Sequence, residues 1–201
     1  MIRPLYAKES TIAGLRVLWA RGAPPSLFLP DAIDKELAEA LREGAGEHLV
    51  DFWIADRGRW SHAALDGGHP LFAPLIELAS KVSDRPLHAA SARLLRFTHR
   101  DYALFRGDEG PTFLEGATSF VELTADLSAR SIGQCDLTYD DGGARRIQLP
   151  QAALSLSLVE RDATLLRAER YVTHQARDAA VVRLRLSLVD TRLTMAAVRA
   201  P

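Results

Sequence analysis

From Ala90 onward the chain carries seven short β-rich runs at close intervals, with no helical period among them. They are Leu94 to Phe105, Ser119 to Ala125, Cys135 to Tyr139, Arg145 to Leu149, Leu154 to Val159, Leu165 to Thr173 and Val181 to Val189. Turn residues separate them, and Asp140-Asp141-Gly142-Gly143 is a strong hairpin signal. Strands in such number and at such spacing must close over one another, as a sandwich, a jelly roll or a barrel.

The preceding part reads differently. Thr11 to Trp19 reads as a first strand, broken by Gly22-Ala23-Pro24-Pro25. Ser26 to Pro30 leads into a helix with Asp31 as N-cap, and Ile33, Leu37 and Leu41 form its apolar stripe. Gly44 and Gly46 end it. Leu49 to Ala55 reads as a strand, and Asp66 to Pro70 as a loop. A second helix carries Pro74 in its first turn, with Leu71, Leu75, Leu78 and Val82 on one side, and stops at Ser83-Asp84-Arg85-Pro86. No linker divides the chain. The expectation is one α+β, mainly β domain over 1–201, with 1–89 as a support region and 90–190 as the β core.

Charge and composition exclude several functions. The formal net charge is -1, so no global field attracts nucleic acid or an anionic membrane. Lysines occur only at Lys8, Lys35 and Lys81, an arginine bias that reads as the composition of a GC-rich bacterial genome. These arginines are scattered among acids, where a phosphate-binding surface would cluster them. Cys135 is the only cysteine and reads as a small buried hydrophobe; disulfides and thiolate clusters within the chain are excluded, which suits a cytoplasmic protein. No apolar run approaches the roughly 20 residues of a membrane span. Charges at Arg3, Lys8, Glu9 and Arg16 break any signal-peptide core.

The residues that can carry chemistry lie in and after the first β run. On a strand, residues two apart share a face, which groups His99 with Asp101, and Arg183 with Arg185 and Ser187. With the distant His174 they make a two-His-one-carboxylate set, the ligand set of Fe(II) oxygenases. An arginine on the last strand can hold a dicarboxylate in a bidentate fork. Each feature also has a plainer reading. His-x-Asp is short enough to arise by chance. Arg183, Arg185 and Ser187 read equally as the wet face of an edge strand whose Val182, Leu184, Leu186 and Leu188 face the core. His174 can cap a hairpin end. His62 and His69, with Trp60 nearby, read as a Gly-rich loop that either lines a pocket mouth or, more commonly for loop histidines, is solvated. The Asp140-Asp141-Gly142-Gly143 turn lacks EF-hand spacing, and the chain holds no phosphate loop, nucleophile elbow or His-Glu-x-x-His.

Residues 90–190 resemble the double-stranded β-helix of the iron- and 2-oxoglutarate-dependent dioxygenases, especially the prolyl-hydroxylase-like branch. The resemblance rests on His99-Arg100-Asp101, Phe120-Val121-Glu122-Leu123, Gly133-Gln134-Cys135-Asp136-Leu137, His174 and Arg185-Leu186-Ser187, after an entry segment at Leu27-Phe28-Leu29-Pro30-Asp31. It implies a jelly roll with the N-terminal helices packed on one sheet. It also implies iron held by His99, Asp101 and His174, and 2-oxoglutarate held by Arg185 with Ser187, or alternatively by Arg183.

A second register of the same resemblance stands beside the first. In many relatives the metal pair follows a Gly-Asp-Tyr-like segment by a few residues, and Arg100-Asp101-Tyr102 resembles that segment. The pair then falls on Arg106 and Asp108, and the distal His falls near Leu166 or Arg167. Arginine stays protonated and cannot ligate iron. The first register implies an Fe(II)- and 2-oxoglutarate-dependent hydroxylase of a peptide residue or small metabolite. The second implies a non-catalytic β-helix that has lost its iron site and serves as a binding or assembly module, with homodimerisation through an exposed sheet. A cupin with another metal is a weaker alternative, since cupins supply more His ligands.

Overall fold

The computed structural model describes residues 1–46, 48–54, 58–106, 119–131, 136–169, 172 and 179–192. Four helices lie in the first half: α1 (Pro4–Ala7), α2 (Glu9–Arg21), α3 (Lys35–Gly46) and α4 (Ala73–Ser83). The strands are β1 (Ser26–Leu29), β2 (Val50–Ile54), β3 (Gly58–Leu65), β4 (Leu87–Phe97), β5 (Tyr102–Arg106), β6 (Phe120–Asp126), β7 (Leu137–Asp140), β8 (Arg146–Leu149), β9 (Leu156–Arg161), β10 (Leu166–Glu169) and β11 (Val181–Asp190). Their order is β1-β9-β6-β11-β4-β3-β5-β10-β7-β8, with β2 attached to β3. All pairings are antiparallel. The two ends of that order, β1 and β8, touch, so the sheet folds over on itself as a double-stranded β-helix. No helix among the described residues is long and apolar enough to cross a membrane.

The alternation along β11 shows how the layers form. Leu184, Leu186 and Leu188 join the core between sheet and helices, with Leu123, Leu158, Leu15, Trp19 and Leu75. Arg183, Arg185 and Ser187 fall on the opposite face, inside the barrel, because side chains alternate with period two. Neither face is wet. β11 sits between β4 and β6, and these three polar residues are buried. The edge-strand reading is therefore corrected: this is a central strand with a charged inner face.

Three other expectations change. Residues 11–19 are helical, not a strand: Ile12, Leu15 and Trp19 recur at helical spacing and are buried, while Val17 and Leu18 face outward and imitate a strand pattern. Asp31 does not cap α3. It has φ 48 and pairs with Arg3, while the Asp34 carboxylate accepts from the Leu37 amide at 2.9 Å. Trp60 and His62 lie on β3, not in a loop, and Phe52 of β2 packs against both rings. His69 does lie in the loop, where its Nδ1 accepts from the Leu71 amide.

The long run beginning at Leu94 is two strands joined by a tight turn over residues 98–101. Arg100 adopts φ 74, and Asp101 fastens the turn by accepting from the Thr98 amide at 2.7 Å and the Thr98 hydroxyl at 2.8 Å. β4 stays in the layer against the helices. β5 crosses to pair with β10 on the other side of the barrel. Leu186, fully buried between α-helical and β layers, tests this packing: Leu186→Ala lowers stability by about 2–5 kcal/mol in denaturant unfolding.

Candidate functional site

The inner face of the barrel is lined by charge. Glu122 on β6 accepts from the Tyr139 hydroxyl of β7 at 2.7 Å, from Arg167 Nη1 of β10 at 3.1 Å, and from Arg161 of β9. Arg161 also donates to the Leu165 carbonyl and lies over the rings of Phe120 and Tyr139. On β10, Glu169 accepts from both Arg183 and Arg185 of β11, and Arg167 Nε stands 3.6 Å from its Oε1. Arg183 Nε stands 3.9 Å from Asp126. The result is one continuous chain: Asp126, Arg183, Glu169, Arg167, Glu122, Arg161. All six are buried to within a few percent of full enclosure.

Electrostatics follow from this enclosure. Burial alone would raise the Glu122 carboxyl, but the positive charges of Arg161, Arg167 and Arg185, with the Tyr139 hydrogen bond, outweigh it and hold the group far below the usual carboxylate range. Burial, and then the negative charge of Glu122, push the Tyr139 phenol far above its ordinary value. Glu122 is therefore an ionised acceptor and Tyr139 a neutral donor.

The first-register metal residues do not lie on one strand face. His99 and Asp101 are both in the turn between β4 and β5. His99 is exposed; Asp101 is buried, and its carboxylate is engaged by Thr98 and lies 3.4 Å from Arg59 Nε. His174 and Asp108 lie outside the described residues, as does Cys135. Arg106 stands at the far end of β5, about 16 Å along the strand from Asp101. There its Cα partner is Arg167. The second register assigns one metal-binding histidine to Arg106 and the other to the vicinity of Leu166 or Arg167, and the fold pairs Arg106 with Arg167 across β5 and β10.

Among the described residues, the interior side chains around Glu122 and Glu169 are engaged with one another and form no vacant ligand set for iron or 2-oxoglutarate. Guanidinium groups cannot ligate a cation. The interior carboxylates Glu122 and Glu169 each already receive two arginines. Among the described residues no group of three or more His, Cys, Asp and Glu side chains could hold a metal ion. Arg185 and Arg183, the alternative anchors for 2-oxoglutarate, both bind Glu169, which supplies from within the chain the carboxylate that a co-substrate would bring. Ser187 is buried beside them on β11, opposite Glu122.

Sequence reasoning does not mark Arg161, Glu169 and Tyr139, and it names Glu122 only within the resemblance and Arg167 only as a position near the distal ligand of the second register. A signal was available: charged residues an even number of positions apart inside apolar strands, as in Glu122-Leu123-Thr124-Ala125-Asp126 and Arg167-Ala168-Glu169. That pattern on a strand with both faces buried means internal ion pairs, because unpaired charge there is too costly.

Comparison with known proteins agrees with the architecture. No protein-family model matches the chain, and no curated protein matches it. Solved structures do. The chain superposes on the non-heme alpha ketoglutarate dependent epimerase SnoN from nogalamycin biosynthesis with TM-score 0.66 and 16% identity, covering 91% of this chain and 84% of that one. A 2OG-Fe(II) oxygenase family oxidoreductase from Burkholderia pseudomallei gives 0.60 and 10%, covering 90% and 91%. A Pseudomonas putida prolyl-4-hydroxylase gives 0.60 and 11%, covering 89% and 98%. The protein has the fold of the 2-oxoglutarate- and iron-dependent oxygenases.

The buried network makes a pH prediction. Glu122 is ionised in the fold at any pH well above its depressed value, whereas in the unfolded chain it protonates near about 4.3. Its contribution is complete above that value and is lost as pH falls below it. Urea unfolding should show stability declining from about pH 5 downward, with Glu122→Gln flattening that slope and costing roughly 3–5 kcal/mol at neutral pH.

Proposed function

We propose that this protein is a non-catalytic double-stranded β-helix, a binding or assembly module in which an internal ion-pair network occupies the place of the iron centre. The observation that carries this reading is the Cα pairing of Arg106 with Arg167, with Arg167 buried and bonded to Glu122. Glu169 supports it by engaging both Arg183 and Arg185, the anchors expected for 2-oxoglutarate. Loss of ligand residues with retention of architecture is physically reasonable, since fold and site chemistry are separable.

One observation favours the oxygenase reading. The Val172 amide donates to the Asp101 carbonyl at 3.0 Å, and the Arg100 amide donates to the Val172 carbonyl at 3.1 Å. This ties the chain two residues before His174 to the turn that carries His99 and Asp101. In that reading the three residues would hold Fe(II), which would supply dioxygen activation toward a peptide or small-metabolite substrate.

Anaerobic titration with Fe(II) and 2-oxoglutarate separates the two. The expected outcome is no visible charge-transfer band, and no decarboxylation of 2-oxoglutarate on admitting air. A band that is present in the native protein and lost in His99→Ala would overturn the non-catalytic reading and establish the iron site at the turn.

A further inference from the structure

Of the seven large hydrophobic residues that stand exposed among the described residues, four lie in the first eighteen positions: Met1, Leu5, Val17 and Leu18. Val17 and Leu18 are 49% and 54% exposed on α2, a helix whose opposite face buries Ile12, Leu15 and Trp19. A helix that is apolar on both sides has a second surface to cover. The exposed side carries a ridge of residues four apart: Glu9, Ala13, Val17 and Arg21, all solvent-facing. Beside it runs Ser10, Gly14 and Leu18, and a Cβ added at Gly14 would meet nothing within 4 Å. Ridges of this spacing are the elements that interlock when helices pack.

The ridge is self-complementary. Turned antiparallel about Leu15, Glu9 faces the partner's Arg21, and Ala13 faces the partner's Val17. The two-fold axis then repeats both contacts. The small half of each helix lies under the large half of the other, and a carboxylate meets a guanidinium at each end. Neither Glu9 nor Arg21 makes an ion pair within the described residues, so both charges remain available. Glu9 and Ala13 also border a cleft of about 230 Å³ with Ala7, Ile12, Arg16 and Lys81, which offers the partner's Val17 a recess.

We infer that α2 is the contact surface of a two-fold homodimer, in which a second copy of this chain docks antiparallel along Glu9, Ala13, Val17 and Arg21. This stands whether or not the barrel binds iron. The strand β2, with exposed Val50 and Trp53, is the competing surface. Two-fold pairing of β2 about Phe52 would set Asp51 against the partner's Trp53 and form no ion pair, so charge complementarity favours α2.

Sedimentation equilibrium of the full chain tests the inference, with circular dichroism confirming that each variant is folded. The native chain should be a dimer in concentration-dependent exchange. Val17→Glu should be monomeric with an unchanged spectrum. Glu9→Arg and Arg21→Glu should each weaken association by about tenfold, through like charges placed face to face. The double variant Glu9→Arg/Arg21→Glu should recover it, because the swapped charges meet again across the axis. A native chain that stays monomeric would overturn the inference. So would a dimer that survives Val17→Glu, a double variant no tighter than the single ones, or a dimer dissociated by Trp53→Lys.

Discussion

Glu122 is an ionised carboxylate buried inside this barrel, and the charges around it are arranged to meet it. Removing a carboxylate from water is expensive, and only close opposite charges with further hydrogen bonds offset it. Here Arg161, Arg167 and Tyr139 converge on it from three other strands. Glu169 repeats the arrangement with Arg183 and Arg185. These contacts run from β6 and β11, in the layer against the helices, to β7 and β10 on the far side. They therefore fasten the two layers together where an apolar core would press them. Directional pairs also favour one strand register, since a slip of one residue would strand each charge in the opposite core.

On the non-catalytic reading proposed above, the same arrangement shows how a barrel can keep its architecture while its inner face serves another purpose. The oxygenase barrel needs its inner polar positions to converge on an ion and a co-substrate. Inside this barrel arginines and carboxylates converge on one another. Arg167 binds Glu122, and the arginines of the last strand bind Glu169. The external face of the sheet is unaffected, because Leu184, Leu186 and Leu188 of the same strand still pack under the helices. Alternation thus separates the fold from the site along a single strand.

Much of the β core was legible because its strands are short, apolar and punctuated. The runs at Ser119, Cys135, Arg145, Leu154, Leu165 and Val181 each contain one strand of the barrel. α2 was misread because Val17 and Leu18 add apolar residues outside the buried stripe of Ile12, Leu15 and Trp19, which hides the helical period. β3 was missed because Gly58 and the histidine and tryptophan around Ser61 suggest a loop. The long run after Leu94 concealed a turn, since Thr98 and Asp101 close it through hydrogen bonds that composition does not announce. Which residues stand opposite each other across β5 and β10, the observation behind the second register, is a matter of strand pairing that the sequence does not announce. The charged pattern on β11 needed the same information: two arginines on a strand look solvated until the strand is found between β4 and β6.

Glu122 and Arg167 act as one buried pair. A double-mutant cycle with Glu122→Gln and Arg167→Met, each variant unfolded in denaturant at neutral pH, measures that directly. The expected coupling is about 1–3 kcal/mol, with the double variant less destabilised than the sum of the single ones. Losses that add to within about 0.5 kcal/mol would show that the two charges do not depend on each other, and would contradict it.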